Sequence, residues 1–291
     1  MKHKLFRSLS RLLLGTAALG SMWTTQAHAF DWSDTSIHYW YGSTFREPGV
    51  TDSNGKASDI GKNIVTFNHV DGYKYGTNFF NIDVLMSNSK DPSNNGTSGA
   101  QEVYALYRHN LSLNAVTGTK NFALGPLRDI SIEAGFDLNT KNTTFAPRKR
   151  MLVFGPNFQF DVPGFWNVAL LYHYENNYNG IVGQSVHFRG TGMLESAWAI
   201  PFNLGGVPVS FEGFADVVAP KGKDGFGEST KTEILFHPKL MVDVGSMIGM
   251  KKNVLQAGVG WEYWYNKFGN NHHTVPGALA NTLFVEAAVH F

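Results

Sequence analysis

The chain has 291 residues, with 24 Lys+Arg against 23 Asp+Glu, a formal net charge of +1 and no cysteine. Near-neutral charge without a basic cluster excludes a nucleic-acid polymer as partner, and the lack of cysteine excludes a disulfide framework. Beyond the N-terminal segment no apolar run reaches the about 20 residues that a membrane-spanning helix needs, yet the chain holds 22 Phe, 11 Tyr, 7 Trp and 31 Gly.

The first element reads as a processing signal. Lys2, Lys4, Arg7 and Arg11 precede an apolar stretch from Leu12 to Met22, which ends in the small-x-small pattern Ala27-His28-Ala29. Cleavage after Ala29 is expected, so that residues 1–29 are a signal peptide and residues 30–291 form one domain. Loss of four basic and no acidic residues leaves that domain at −3.

From there the signal is period two, the spacing at which side chains alternate across a strand. Twelve segments carry it, near 34–45, 59–71, 73–87, 100–114, 127–140, 147–161, 164–178, 186–201, 206–219, 230–245, 251–267 and 279–291. In 130–139, Ile130, Ile132, Ala134, Phe136 and Leu138 oppose Ser131, Glu133, Gly135, Asp137 and Asn139. In 166–177, Trp166, Val168, Leu170, Tyr172 and Tyr174 oppose Asn167, His173, Glu175 and Asn177, with Ala169 and Leu171 interrupting the polar face.

The connections alternate in length. Asp71-Gly72, 161–164 and 203–206 are short, whereas 47–58, 89–99, 141–146, 179–184, 220–229 and 269–277 are longer and polar, and 115–126 is the single long connection on the short side. Short turns at one end and long loops at the other are the pattern of a transmembrane antiparallel β-barrel with short periplasmic turns and longer extracellular loops. The final segment alternates Leu283, Val285, Ala287, Val289 and Phe291. A terminal aromatic on such a strand resembles the signal read by the outer-membrane insertion machinery. The expected fold is thus an all-β barrel of about 12 strands in the outer membrane of a Gram-negative bacterium. Lipid satisfies its outer face, so no packed apolar core is required.

Four segments carry a family resemblance. Phe122-Ala123-Leu124-Gly125-Pro126-Leu127-Arg128-Asp129 is similar to an apolar-x-Gly-Pro-apolar-basic-acidic segment at the entrance to the fifth strand. Tyr41-Gly42-Ser43-Thr44-Phe45-Arg46, 166–180 and 207–216 match in place and character. In these the chain resembles the nucleoside-specific channel-forming proteins of the Tsx type, in their OmpK-like branch. It departs from them in the loops after strands one and three, and not every acidic and aromatic pore residue has a counterpart. The resemblance implies a narrow monomeric barrel that takes up nucleosides passively and, in some members, serves phages or colicins through its outer loops.

A nucleoside offers a flat base and a polyhydroxyl sugar, so a passive channel should present aromatic faces and fixed polar groups at weak affinity. Alternation places the aromatics Tyr104, Phe214, Trp264 and Phe284 inward. It places the ionisable residues Arg108, Glu133, Asp137, His173, Glu175, Arg189, Glu195, Glu212, Asp216, Glu233, Glu262 and Glu286 inward with them. Any of these equally suits bracing of a narrow wall. Trp166, Tyr172, Tyr174, Trp198, Trp261, Tyr263 and Tyr265 read as outward girdle residues.

No cofactor, catalytic or metal set is expected. His272-His273 lacks a third ligand at useful spacing, and Ser185 with His187 lacks the partner that a barrel lipase or protease would need. A general small-solute porin or a loop-mediated phage or surface receptor is the alternative to a nucleoside channel.

Overall fold

The computed structural model describes residues 30–291; the expected signal peptide, residues 1–29, lies outside the described residues. The strands are β1 (Trp32–Phe45), β2 (Ile60–Tyr73), β3 (Gly76–Ser87), β4 (Gln101–Ser112), β5 (Leu127–Lys141), β6 (Arg150–Phe160), β7 (Phe165–Asn179), β8 (Gln184–His187), β9 (Thr191–Leu204), β10 (Val207–Val218), β11 (Glu233–Val242), β12 (Leu255–Tyr265) and β13 (Leu279–His290). Every strand but β8 pairs antiparallel with a neighbour on each side, and β13 pairs with β1, which closes a twelve-stranded barrel. Strand β8 is a four-residue stub that pairs only with the end of β7. Closure leaves no sheet edge, so each strand amide finds its partner within the wall.

The alternation seen in the sequence is the alternation of the wall. On β13, Thr282, Phe284, Glu286 and Ala288 are buried inward, while Leu283, Val285 and Val289 are exposed. On β6, Met151 and Val153 point inward and Leu152 and Phe154 outward. The exposed outer residues form an apolar belt that includes the aromatics Tyr39, Tyr41, Trp166 and Tyr172. A surface of this kind is stable against hydrocarbon and costly against water. Among the described residues no helix is long and apolar enough to cross a membrane; here the strands do so.

Several boundaries differ from the expected ones. The first short turn is Lys74-Tyr75, not Asp71-Gly72, because β2 runs on through Tyr73 to pair with Gly76. The segment expected at 186–201 is divided: its start belongs to the β8 stub, and the barrel strand begins at Thr191. The 115–126 connection is not the only long one on the short side. A second spans 243–254, because the period-two pattern continues past the point where Asp243 caps the short helix α2 (Val244–Met247) by accepting from the Ser246 amide. The first long connection opens with helix α1 (Leu113–Thr117), capped in the same way by Ser112.

The interior is also not purely polar. Met151, Val153, Ala169, Leu171, Met193 and Val218 form one apolar cluster inside the barrel, and Trp40, Phe45, Ile60, Ile64 and Phe284 form another. Ala169 and Leu171 interrupt the polar face of β7 because they pack there. A barrel this narrow must fill part of its own lumen with side chains.

Candidate functional site

The inward faces of β1 and β10 to β13 build an aromatic column. The Phe214 ring stacks on His237 at 5.0 Å between centroids, and His237 stacks on Phe284 at 4.7 Å. Phe284 leans on Trp40 at 4.9 Å, and Trp40 meets Phe45 edge-on at 5.9 Å. Trp40 is fixed by donation from its Nε1 to Thr66 Oγ1 at 3.1 Å. Gly260 supplies the space: a Cβ there would lie 2.1 Å from Phe284 Cζ. Most of the column is buried, but Phe214 at its end is 37 % exposed while facing inward. Beside it the wall is low, formed by Ala197 and Ala199 of β9.

Ion clusters flank the column. Arg108 of β4 reaches across the lumen to Glu195 of β9, Nη2 to Oε2 at 2.9 Å, and also bonds Asp137 of β5 at 2.5 Å, with Glu133 at 3.5 Å. Tyr104 donates its hydroxyl to the same Asp137. On the other wall Lys239 bonds Glu286 at 2.6 Å and approaches Glu212 at 3.7 Å. His38 meets Glu286 at 2.6 Å. The side chains of Glu195, Glu212 and Lys239 keep part of their surface open to the lumen, whereas Arg108, Glu133 and Asp137 are buried.

At the long-loop end, Lys221 bonds Glu175 at 2.5 Å and lies over the Phe188 ring, with His173 3.7 Å from Glu175. Trp264 donates to Glu233 at 2.8 Å. Glu47, in the loop after β1, is clasped by Lys62, Lys141 and Lys267. Burial by itself would raise the Glu47 carboxyl, but the three ammonium groups outweigh it and hold the group well below the usual carboxylate range.

Of the residues expected inward, all but one face the lumen. Arg189 is the exception: it is an exposed residue of the loop between β8 and β9, beyond the point where alternation applies. Phe214, Phe284, Glu212 and Glu286 come together with the column. Tyr104, Arg108, Glu133, Asp137, Glu195 and Asp216 share the opposite cluster, and Glu233, Glu262 and Trp264 lie nearer the outer mouth. The aromatics expected outward lie on the outer face, but Trp198 is only 8% exposed there, packed against Phe211 and Phe236. Trp40, His38, His237 and Lys239 were not among the candidate residues read from the sequence. His237 and Lys239 lie on the polar face of their own alternating segment and could have been found. The partnership of Trp40 with Phe284 depends on the closure of β13 on β1, which no local pattern announces.

His187, on the β8 stub, accepts from the Asn176 side-chain amide of β7 at 2.9 Å, and among the described residues no His/Asp/Glu group has the grouping of a metal site.

No protein-family model matches the chain, and no curated protein matches it. Among solved structures, the KdgM porin in complex with disordered oligogalacturonate aligns over 88% of this chain and 99% of its own, at 11% identity and a TM-score of 0.44. The translocator domain of the autotransporter NalP from Neisseria meningitidis aligns over 98% and 97%, at 13% identity and 0.44. An outer membrane channel from Pseudomonas putida F1 aligns over 92% and 100%, at 9% identity and 0.47. At these scores the likenesses add nothing to what strand pairing already establishes.

Proposed function

We propose that the protein is an outer-membrane channel for passive entry of small, uncharged, flat solutes, with nucleosides the best-fitting class. The observation that carries this is Phe214: an aromatic face inside the barrel, open to the lumen, backed by a stacked column and bordered by Glu212 and Lys239. Stacking of a base on an aromatic is worth about 1–3 kcal/mol, and a millimolar site needs only about 4 kcal/mol. One ring and one or two hydrogen bonds to sugar hydroxyls supply that without trapping the solute. Charge supports the same reading. Among the ion-cluster side chains that keep surface open to the lumen, the carboxylates Glu195 and Glu212 outnumber Lys239, which opposes entry of nucleotides, phosphates and acidic sugars.

On this reading the apolar belt sits in a Gram-negative outer membrane, residues 1–29 are removed on export, and Phe291 is the assembly signal. A self-contained lumen suits a monomer. The test is single-channel conductance in a planar bilayer with adenosine, thymidine and glucose added in turn. Saturable block by the nucleosides but not by glucose is expected. Conductance indifferent to all three would leave a general small-solute pore and end the nucleoside reading.

A further inference from the structure

The cluster around Glu47 lies at the long-loop end of the barrel and joins loop residues to side chains that point inward. Lys62 points inward from β2 and donates to the Glu47 carboxylate. Lys267, from the loop between β12 and β13, is 3.3 Å from the same oxygen, and Lys141, at the end of β5, is 3.5 Å from the other. Lys141 also bonds Asp91 of the β3–β4 loop at 2.8 Å and lies 3.9 Å from inward Glu102 of β4. Three ammonium groups thus face three carboxylates, and the set spans the wall from β12 through β1 to β5.

None of these side chains is more than 13 % exposed. The backbone is closed along the same line. Gly49 donates to the Pro276 carbonyl at 2.8 Å. A Cβ on Gly277 would lie 2.1 Å from the Glu47 carbonyl oxygen, so the two loops touch backbone to backbone. A surface ion pair would be weakly held and solvated. This one is charge-balanced, buried and drawn from three loops and three strands.

We propose that Glu47 is a latch: its carboxylate ties the β1–β2 loop across the outer mouth and sets the width of the passage below. The inference rests on the channel reading. Removing the carboxylate leaves three buried lysines facing two carboxylates, which drives the loop outward.

The experiment compares wild type, Glu47→Gln and Lys267→Met, each refolded and checked for the compact barrel by its heat-dependent gel mobility. Single-channel conductance and amide hydrogen exchange of residues 46–59 and 88–100 are read on each. The latch predicts higher or more frequent large conductance levels together with faster loop exchange in both variants. Faster exchange at unchanged conductance would overturn it, because the cluster would then only order loops. Unchanged exchange and conductance would overturn it too. If Glu47→Gln fails to fold, Lys267→Met decides. Absence of conductance in all three would instead remove the channel reading, and the latch with it.

Discussion

Replacing Arg108 by Met is expected to cost about 3–5 kcal/mol of folding stability, the range for breaking a buried ion pair from one side. The guanidinium serves three carboxylates, Asp137, Glu195 and Glu133, and is 7% exposed, with these partners at 3%, 17% and 2%. A pair 4 Å apart attracts by about 4 kcal/mol at an effective dielectric of 20, most of it offset by desolvation. Met fills the volume but leaves Glu133 and Asp137 crowded without a cation. It also removes the one direct tie in this cluster between β4 and β9, strands separated along the wall by β5, β6 and β7. The measurement is the urea midpoint in lipid vesicles, followed by tryptophan fluorescence and gel mobility. Arg108→Lys should recover only part of the loss, because a single ammonium cannot span both walls. A loss below about 1 kcal/mol, the scale of exposed pairs, would refute the reasoning and show the cluster to be water-screened.

Phe214→Ala should raise the half-blocking nucleoside concentration about 5- to 150-fold, the equivalent of one stacking contact, with stability little changed because the ring is already open to the lumen; titrated channel block measures it. Val285→Lys places a charge on the lipid face, where Val285 is 57% exposed, and should cost about 2–4 kcal/mol in a bilayer if that position is near the midplane; equal stability of variant and parent in vesicles would argue against an embedded belt. For Glu47 the folded carboxyl titrates below its unfolded value, so its contribution is full above about pH 4.3 and fades as pH falls through the lowered value. The stability difference between wild type and Glu47→Gln should therefore be constant near neutrality and disappear only in strong acid. The difference between the two proteins, and not the wild-type curve alone, is the measurement.

The barrel was legible because its rule is local. Each strand's lumen and lipid faces differ in polarity, and Ile130 to Asn139 states that difference within ten residues. Where both faces are apolar the rule weakens: Ala169 and Leu171 look like errors in a pattern until they are seen packing inside the barrel with Met151, Val153 and Met193 of the two neighbouring strands. Strand ends were the least legible, since Asp243 stops β11 through a cap and not through polarity. Arg189 failed for the same reason, its parity being counted across a loop.

The site was legible as types but not as partners. Inward Glu and Arg are visible one strand at a time, yet whether Arg108 meets Glu195 depends on the diameter and stagger of the closed sheet. That geometry gives the interior its division of labour. On one side a guanidinium and buried carboxylates lock the wall, and at the mouth Glu47 ties the loops. Beside Ala197 and Ala199, small side chains leave the ring of Phe214 uncovered toward the lumen. A narrow barrel stabilised by charges across its own bore can pass solutes only along the strip those charges leave free. On the proposed channel reading, the aromatic lining of that strip, more than the bore itself, determines what passes.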